Sequence, residues 1–153
     1  MKILIMGLPG SGKTTLANEI IYVLTTNNIR VTYSNADIVR KLYNDWDFTI
    51  AGRERQAVRM REIADSAKGI VICDFIAPTD TIRQLFAADY TIWVDTIAEG
   101  RFEDTNKLFE PPKKYDIRVT EQNSIKWASI ISEKLINIIR MEKLHDIPSL
   151  DNN

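Results

Sequence analysis

Ile3-Leu4-Ile5-Met6-Gly7-Leu8-Pro9-Gly10-Ser11-Gly12-Lys13-Thr14-Thr15 opens the chain with a short apolar run that passes directly into G-x-x-x-x-G-K-[ST]. Such a run ahead of glycines, with helical periodicity behind it, reads as a buried strand, a tight turn and a helix. Gly7, Gly10 and Gly12 let successive backbone N–H groups turn inward around an anion, and the helix starting near Lys13 adds the positive end of its dipole. Lys13 brings an ammonium to the outer phosphates, and the Thr14 hydroxyl is the expected ligand of a phosphate-bound Mg²⁺. With Leu8, Pro9, Ser11 and Thr15 completing the loop, the stretch is read as a binding site for ATP or GTP.

Working outward, helix-like segments separate most of the apolar, β-branched runs at residues 2–6, 30–34, 70–75, 90–94 and 117–120. This alternation predicts an α/β fold, a P-loop NTPase three-layer α/β/α sandwich with a mostly parallel, roughly five-stranded sheet. Leu16, Ile20, Val23 and Leu24 fall on one helical stripe, as do Ala57, Met60, Ala64 and Ala67 between residues 53 and 68. A last helix is predicted over about residues 124–144, capped by Asn123 or Ser124, with a frayed tail over residues 145–153. Residues 102–115, with Pro111-Pro112 and Lys113-Lys114, form the one irregular stretch.

The chain has 153 residues, 44% of them apolar and 27% charged, which suits a single domain of ordinary size over 1–153. A formal charge of −1 argues against a general nucleic-acid or anionic-membrane binder. No run approaches the length of a membrane span, and Met1-Lys2 leads straight into the first strand, so a cytoplasmic protein is expected. Cys73, the single cysteine, lies inside Ile70-Val71-Ile72-Cys73 and is expected to be a buried, inert thiol.

In open α/β sheets ligands bind beyond the carboxyl ends of the strands, which directs attention to what each strand delivers there. The second predicted strand runs into Asn35-Ala36-Asp37-Ile38-Val39-Arg40, the third ends at Asp74 and the fourth at Asp95. Asp74 follows an apolar run, as a metal-linked carboxylate or as a helix cap. Asp37 and Arg40 stand three apart at the start of a helix pattern, where both can face the space before the phosphate loop or simply form an ordinary helix N-terminus. Phosphoryl transfer to an alcohol needs alignment, charge neutralisation and an acceptor for the hydroxyl proton, for which Asp37 is the candidate. Asp95 reads as a cap or turn residue, Trp93 and Trp127 as core, and Trp46 as either a base cover or a core edge.

On these residues the chain resembles the adenylylsulfate kinase family, whose members phosphorylate the 3′-hydroxyl of adenosine 5′-phosphosulfate with ATP. The likeness spans residues 1 to about 120. The family's Asp-Gly-Asp-Asn-x-Arg falls on residues 35–40, and its Gly-Phe-Ser on Asp47-Phe48-Thr49. Its Asp-Arg-x-x-Asn falls on Gly52-Arg53-Glu54-Arg55-Gln56, and its Phe-Ile-Ser-Pro on Phe75-Ile76-Ala77-Pro78. The resemblance implies that Asp37 is the acid/base and metal-linked carboxylate, that Arg40 and Arg53 hold the phosphosulfate or sugar, and that Gln56 stands where an Asn binds substrate. It further implies that Phe48 packs on the adenine, that Phe75 and Ile76 line the acceptor site, and that residues 102–115 form a short lid whose Lys107 swings onto the transferring phosphoryl group. Members of the family often pair as homodimers. Asn35, Ala36, Ile38, Gly52, Gln56 and Ala77 depart from the family pattern, and Asp74 stands where a small hydroxyl residue is usual.

Those departures keep a second acceptor class open: a modified nucleoside, a sugar nucleotide or a hydroxylated base. A nucleotide-dependent switch is the remaining alternative. It lacks the Asn-Lys-x-Asp guanine signature, since Asn106-Lys107 continues into Leu108-Phe109.

Overall fold

The computed structural model describes residues 1–146, so residues 147–153 of the expected tail lie outside the described residues. In chain order the elements are β1 (Lys2–Met6), α1 (Lys13–Thr26), β2 (Val31–Asn35), α2 (Ala36–Tyr43), α3 (Ile50–Ser66), β3 (Ile70–Asp74), α4 (Asp80–Phe86), β4 (Tyr90–Val94), α5 (Glu103–Leu108), β5 (Ile117–Val119) and α6 (Ser124–His145). The strands form one sheet in the order β2-β3-β1-β4-β5, and every pairing is parallel. The chain leaves β1 to one side for β2 and β3, then crosses to the other for β4 and β5. The loop after β1 therefore sits at the reversal of strand order, where such sheets open a crevice.

Both faces of the sheet are covered, which is why its strands read as continuous apolar runs. Ile3 and Ile5 of β1, with Ile72 and Ile92, pack on α1 and α6 through Ile20, Leu24, Ile131 and Leu135. Leu4 and Met6 point the other way and meet Val39, Met60, Ile82 and Phe86 of α2, α3 and α4. Each fully buried Ile, Leu or Phe contributes about 1.5–3 kcal/mol of transfer free energy, so this two-sided core carries the fold. No helix among the described residues is long and apolar enough to cross a membrane.

Helix starts are set locally. Asn35 Oδ1 accepts the Asp37 and Ile38 N–H groups at 2.9 and 3.4 Å, and Thr49 Oγ1 accepts Gly52 N–H at 3.1 Å. α3 therefore begins at Ile50, three residues before the pattern in the sequence, because Thr49 caps it and Gly52 sits inside its first turn. A β-carbon at Gly52 would stand 2.3 Å from the Asp47 carbonyl oxygen and 2.4 Å from its Cγ. Gly52→Ala is accordingly expected to cost about 1–3 kcal/mol and to displace the loop at residues 44–49. Chemical denaturation reads this directly, and an unchanged midpoint would show that the loop yields without cost.

The stretch at residues 102–115 is not wholly irregular as the prolines imply, since it contains α5. That helix is under two turns long, too short to show a period in the sequence.

Candidate active site

The phosphate loop is held from both sides. Gly7, at φ +153°, lies so near the Val94 carbonyl that a β-carbon would meet its oxygen at 2.4 Å. Thr96 Oγ1 donates to the Ser11 carbonyl at 2.6 Å, and the Gln122 amide reaches the Gly10 carbonyl at 3.4 Å. Lys13 Nζ donates to the Leu8 carbonyl at 3.0 Å inside the turn. Burial draws its ammonium pKa below the ordinary lysine value, against the opposing pull of Asp74 and Asp37.

Two cavities meet at this loop. The first, about 510 Å³, runs over residues 10–16 to Val94, Thr96, Val119 and residues 121–124. The second, about 620 Å³, lies on the other side, lined by α2, the start of α3 and residues 101, 102, 104 and 105. Gly10, Lys13 and Thr14 line both. Each volume accommodates a nucleotide-sized ligand. Thr15 lies in the first cavity, and Pro9 in the second. The wall at residues 121–124 has no motif to announce it in the sequence.

The second cavity collects Asp37, Arg40, Phe48, Arg53, Gln56, Phe75 and Ile76, with Asp74 beside Thr14 and Trp46 at its wall. Arg40 and Arg53 are both buried. Arg40 donates to the Asp45 and Asp47 carbonyls at 3.2 Å, and Arg53 donates to the Phe48 carbonyl at 2.8 Å and Thr105 Oγ1 at 3.0 Å. Their guanidiniums flank the half-exposed Phe48 ring at 4.4 and 5.5 Å from its centroid. Burial lowers the pKa of both. The only carboxylate paired with either is the exposed Asp104, 3.8 Å from Arg53, among the described residues. Two buried cations so sparsely neutralised suit this wall to an anion.

The arginines are in turn held by a clamp that the sequence reading missed. Asp45 accepts two bonds from Arg55, at 2.8 and 3.0 Å, and one from Arg59 at 3.1 Å. These bonds hold its carboxyl well below the usual carboxylate range. They tie the residue 44–49 loop to α3, one helical turn separating the two arginines.

At the seam, Asp74 is buried and its Oδ2 accepts from Thr14 Oγ1 at 2.7 Å, Tyr33 hydroxyl at 2.8 Å and Asn35 Nδ2 at 3.3 Å. Burial and the nearby Asp74 charge push the Tyr33 phenol up to about 12, so it is a donor at neutral pH. Asn35 and Asp74 are direct register partners of β2 and β3. An aspartate at 35 would set two carboxylates face to face, whereas the amide donates across the gap.

The remaining residues singled out in the sequence take these places. Lys107 lines neither cavity: its ammonium lies on the exposed face of α5, 3.4 Å from Glu103 one turn away. Arg101 lines the second cavity instead. Gln56 lines the second cavity, but its amide donates to the Ala36 carbonyl at 3.1 Å and accepts from Arg59 at 2.9 Å, bracing α2 on α3. Phe75 is buried edge-on against Phe86. Asp95 pairs with Arg118 of β5 at 2.6 Å, and Trp93 is buried. The Cys73 thiol is fully buried and pushed up to about 12 by burial.

A phosphate loop at the strand-order reversal, flanked by two nucleotide-sized cavities with buried arginines and a carboxylate in one, defines a nucleotide-binding phosphotransferase acting on an alcohol. Residues 1–100 match the model of the adenylylsulphate kinase family, and the chain belongs to that family. It is 28% identical over 174 residues to the adenylyl-sulfate kinase of Buchnera aphidicola subsp. Schizaphis graminum, across 95% of this chain and 81% of that one. Among solved structures it resembles the Mycobacterium tuberculosis APS kinase in complex with AMPPNP and APS, at 21% identity and TM-score 0.74, covering 88% of this chain and 97% of that one. A gluconokinase from Sinorhizobium meliloti 1021 shares the fold at 13% identity and TM-score 0.64, covering 92% and 96%.

Proposed function

We propose that the chain transfers the γ-phosphoryl group of ATP to the 3′-hydroxyl of adenosine 5′-phosphosulfate. The observation that carries this reading is the meeting of two nucleotide-sized cavities at Lys13 and Thr14, with Arg40, Arg53 and Asp37 in the second. ATP occupies the first cavity, its phosphates in the backbone cradle and its base toward residues 121–124. The phosphosulfate lies against the two buried guanidiniums, whose planar forks suit sulfate and phosphate oxygens. Phe48 and Trp46 offer aromatic surface to its purine. Asp37 accepts the proton of the attacking hydroxyl, and Lys13 stabilises the charge spread over the transferring group.

The hard oxygen donors of Thr14, Asp74 and Asp37 fit Mg²⁺, and Oδ1 of Asp74 accepts no hydrogen bond from the described residues. Thr14, with the two carboxylates, would hold the ion, which neutralises phosphate charge when bound.

Transfer of label from γ-labelled ATP to adenosine 5′-phosphosulfate, beside a control without acceptor, tests the reading. Arg53→Ala is expected to raise the acceptor KM by about 10–100-fold, because a charge-assisted contact is worth about 1.5–3 kcal/mol. An unchanged acceptor KM would remove Arg53 from the binding site.

One observation favours a different alcohol as a second reading. Both ends of the Gln56 amide are consumed within the protein, so the polar contact expected of the family's Asn is not free for this acceptor. Label appearing on a sugar nucleotide or modified nucleoside, with none on phosphosulfate, would select that reading.

A further inference from the structure

We propose that Tyr33 is a positioning residue for the active-site carboxylate of Asp74, acting through its hydroxyl, with Asn35 as its partner. This rests on the reading above that Asp74 assists a divalent cation at the seam.

The period of a strand places Tyr33 and Asn35 on the same face of β2, the face that packs toward α1. Asp74 lies across the register from Asn35, and Ile72 across from Tyr33. Thr14, at the start of α1, approaches from above. Three donors from two elements thus converge on one carboxylate oxygen, at 2.7, 2.8 and 3.3 Å, while the other oxygen accepts nothing from the described residues. The amide of Asn35 also lies 3.5 Å from the Tyr33 oxygen, and its own carbonyl is spent on capping α2.

Packing alone does not explain the tyrosine. Its ring lies against the sheet's α1-side core, a task phenylalanine performs equally well. Only the hydroxyl reaches the carboxylate. A carboxylate saturated on one oxygen has a fixed orientation and offers the second oxygen as its free acceptor, which is how outer groups tune metal sites.

The test is equilibrium binding of a fluorescent ATP analogue at increasing Mg²⁺, and separately in EDTA, with no acceptor present. Four chains are compared: the parent, Tyr33→Phe, Asp74→Ala and the double variant. Tyr33→Phe is expected to raise the Mg²⁺ concentration for half-maximal binding about tenfold, the scale of outer-group substitutions, and to leave binding in EDTA unchanged. In the Asp74→Ala background the same substitution is expected to add nothing, because the hydroxyl acts through the lost carboxylate. A parent-like Mg²⁺ dependence in Tyr33→Phe, or an equal effect with and without Asp74, overturns the proposal. Asp74→Ala with parent-like Mg²⁺ dependence overturns both the proposal and the cation reading beneath it. Loss of dependence in Asp74→Ala but not in Tyr33→Phe overturns the proposal alone. Thermal melts in EDTA verify folding, and Tyr33→Leu takes the same comparison should the phenylalanine variant not fold.

Discussion

Asp37→Asn is expected to bind metal-free nucleotide like the parent chain and to lose about 10²–10⁴-fold in turnover, the range for removal of a general base. Asparagine has the size of aspartate and keeps one carbonyl oxygen, but it does not take a proton. Asp37 lines the acceptor cavity and not the nucleotide cavity, so the substitution leaves the phosphate cradle alone. It also sits in the first turn of α2, where losing a negative charge costs about 0.3–1 kcal/mol, too little to unfold the chain. Single-turnover transfer from labelled ATP, beside a nucleotide titration, separates the two quantities. Turnover within a few-fold of the parent would remove Asp37 from the role of base.

Lys13→Ala is expected to abolish transfer, by about 10³-fold or more, since one preorganised charge at a developing anion is worth that much. Its effect differs in kind from that of Asp37. Lys13 belongs to both cavities and feels the charges of Asp74 and Asp37, so its loss weakens nucleotide binding as well as turnover. Lys13→Arg is not expected to rescue it, because a planar fork does not replace a compact ammonium inside the turn that ends on the Leu8 carbonyl. Transfer by Lys13→Ala at a tenth of the parent rate or better would contradict the assignment.

The two variants draw on the part of the site that was legible in the sequence. The strand, glycines and lysine of residues 2–14 are contiguous, and local chemistry determines them. Asp37 and Arg40 were readable because their three-residue spacing on one helix puts them on one side, and the cavity contains both. What escaped the reading is non-local. The Asn35 contact to Asp74 spans 39 residues, and the Gln122 contact to the phosphate loop spans 112. Strand pairing creates these neighbours, and no spacing in the chain encodes them. Tyr33 looked like a strand former and nothing more, since β-propensity and a carboxylate partner call for the same residue. Lys107 enters only by likeness to the family's lid; in the structure it pairs with Glu103, four residues before it, on an exposed helix turn. α3 was entered three residues late because Gly52 reads as a breaker, whereas its missing side chain is what admits Asp47.

The near-complete separation of the two cavities has a consequence for how such an enzyme diversifies. Only Gly10, Lys13 and Thr14 are shared; the nucleotide wall comes from α1, β4, β5 and residues 121–124, and the acceptor wall from α2, α3, the β3–α4 turn and the lid. Substitutions that reshape one wall leave the other intact, so selection for a new alcohol need not be bought with loss of the phosphoryl donor. The departures from the family pattern at residues 35, 36, 38, 52, 56 and 77 fall in the acceptor-side segments, where such a scaffold is free to drift.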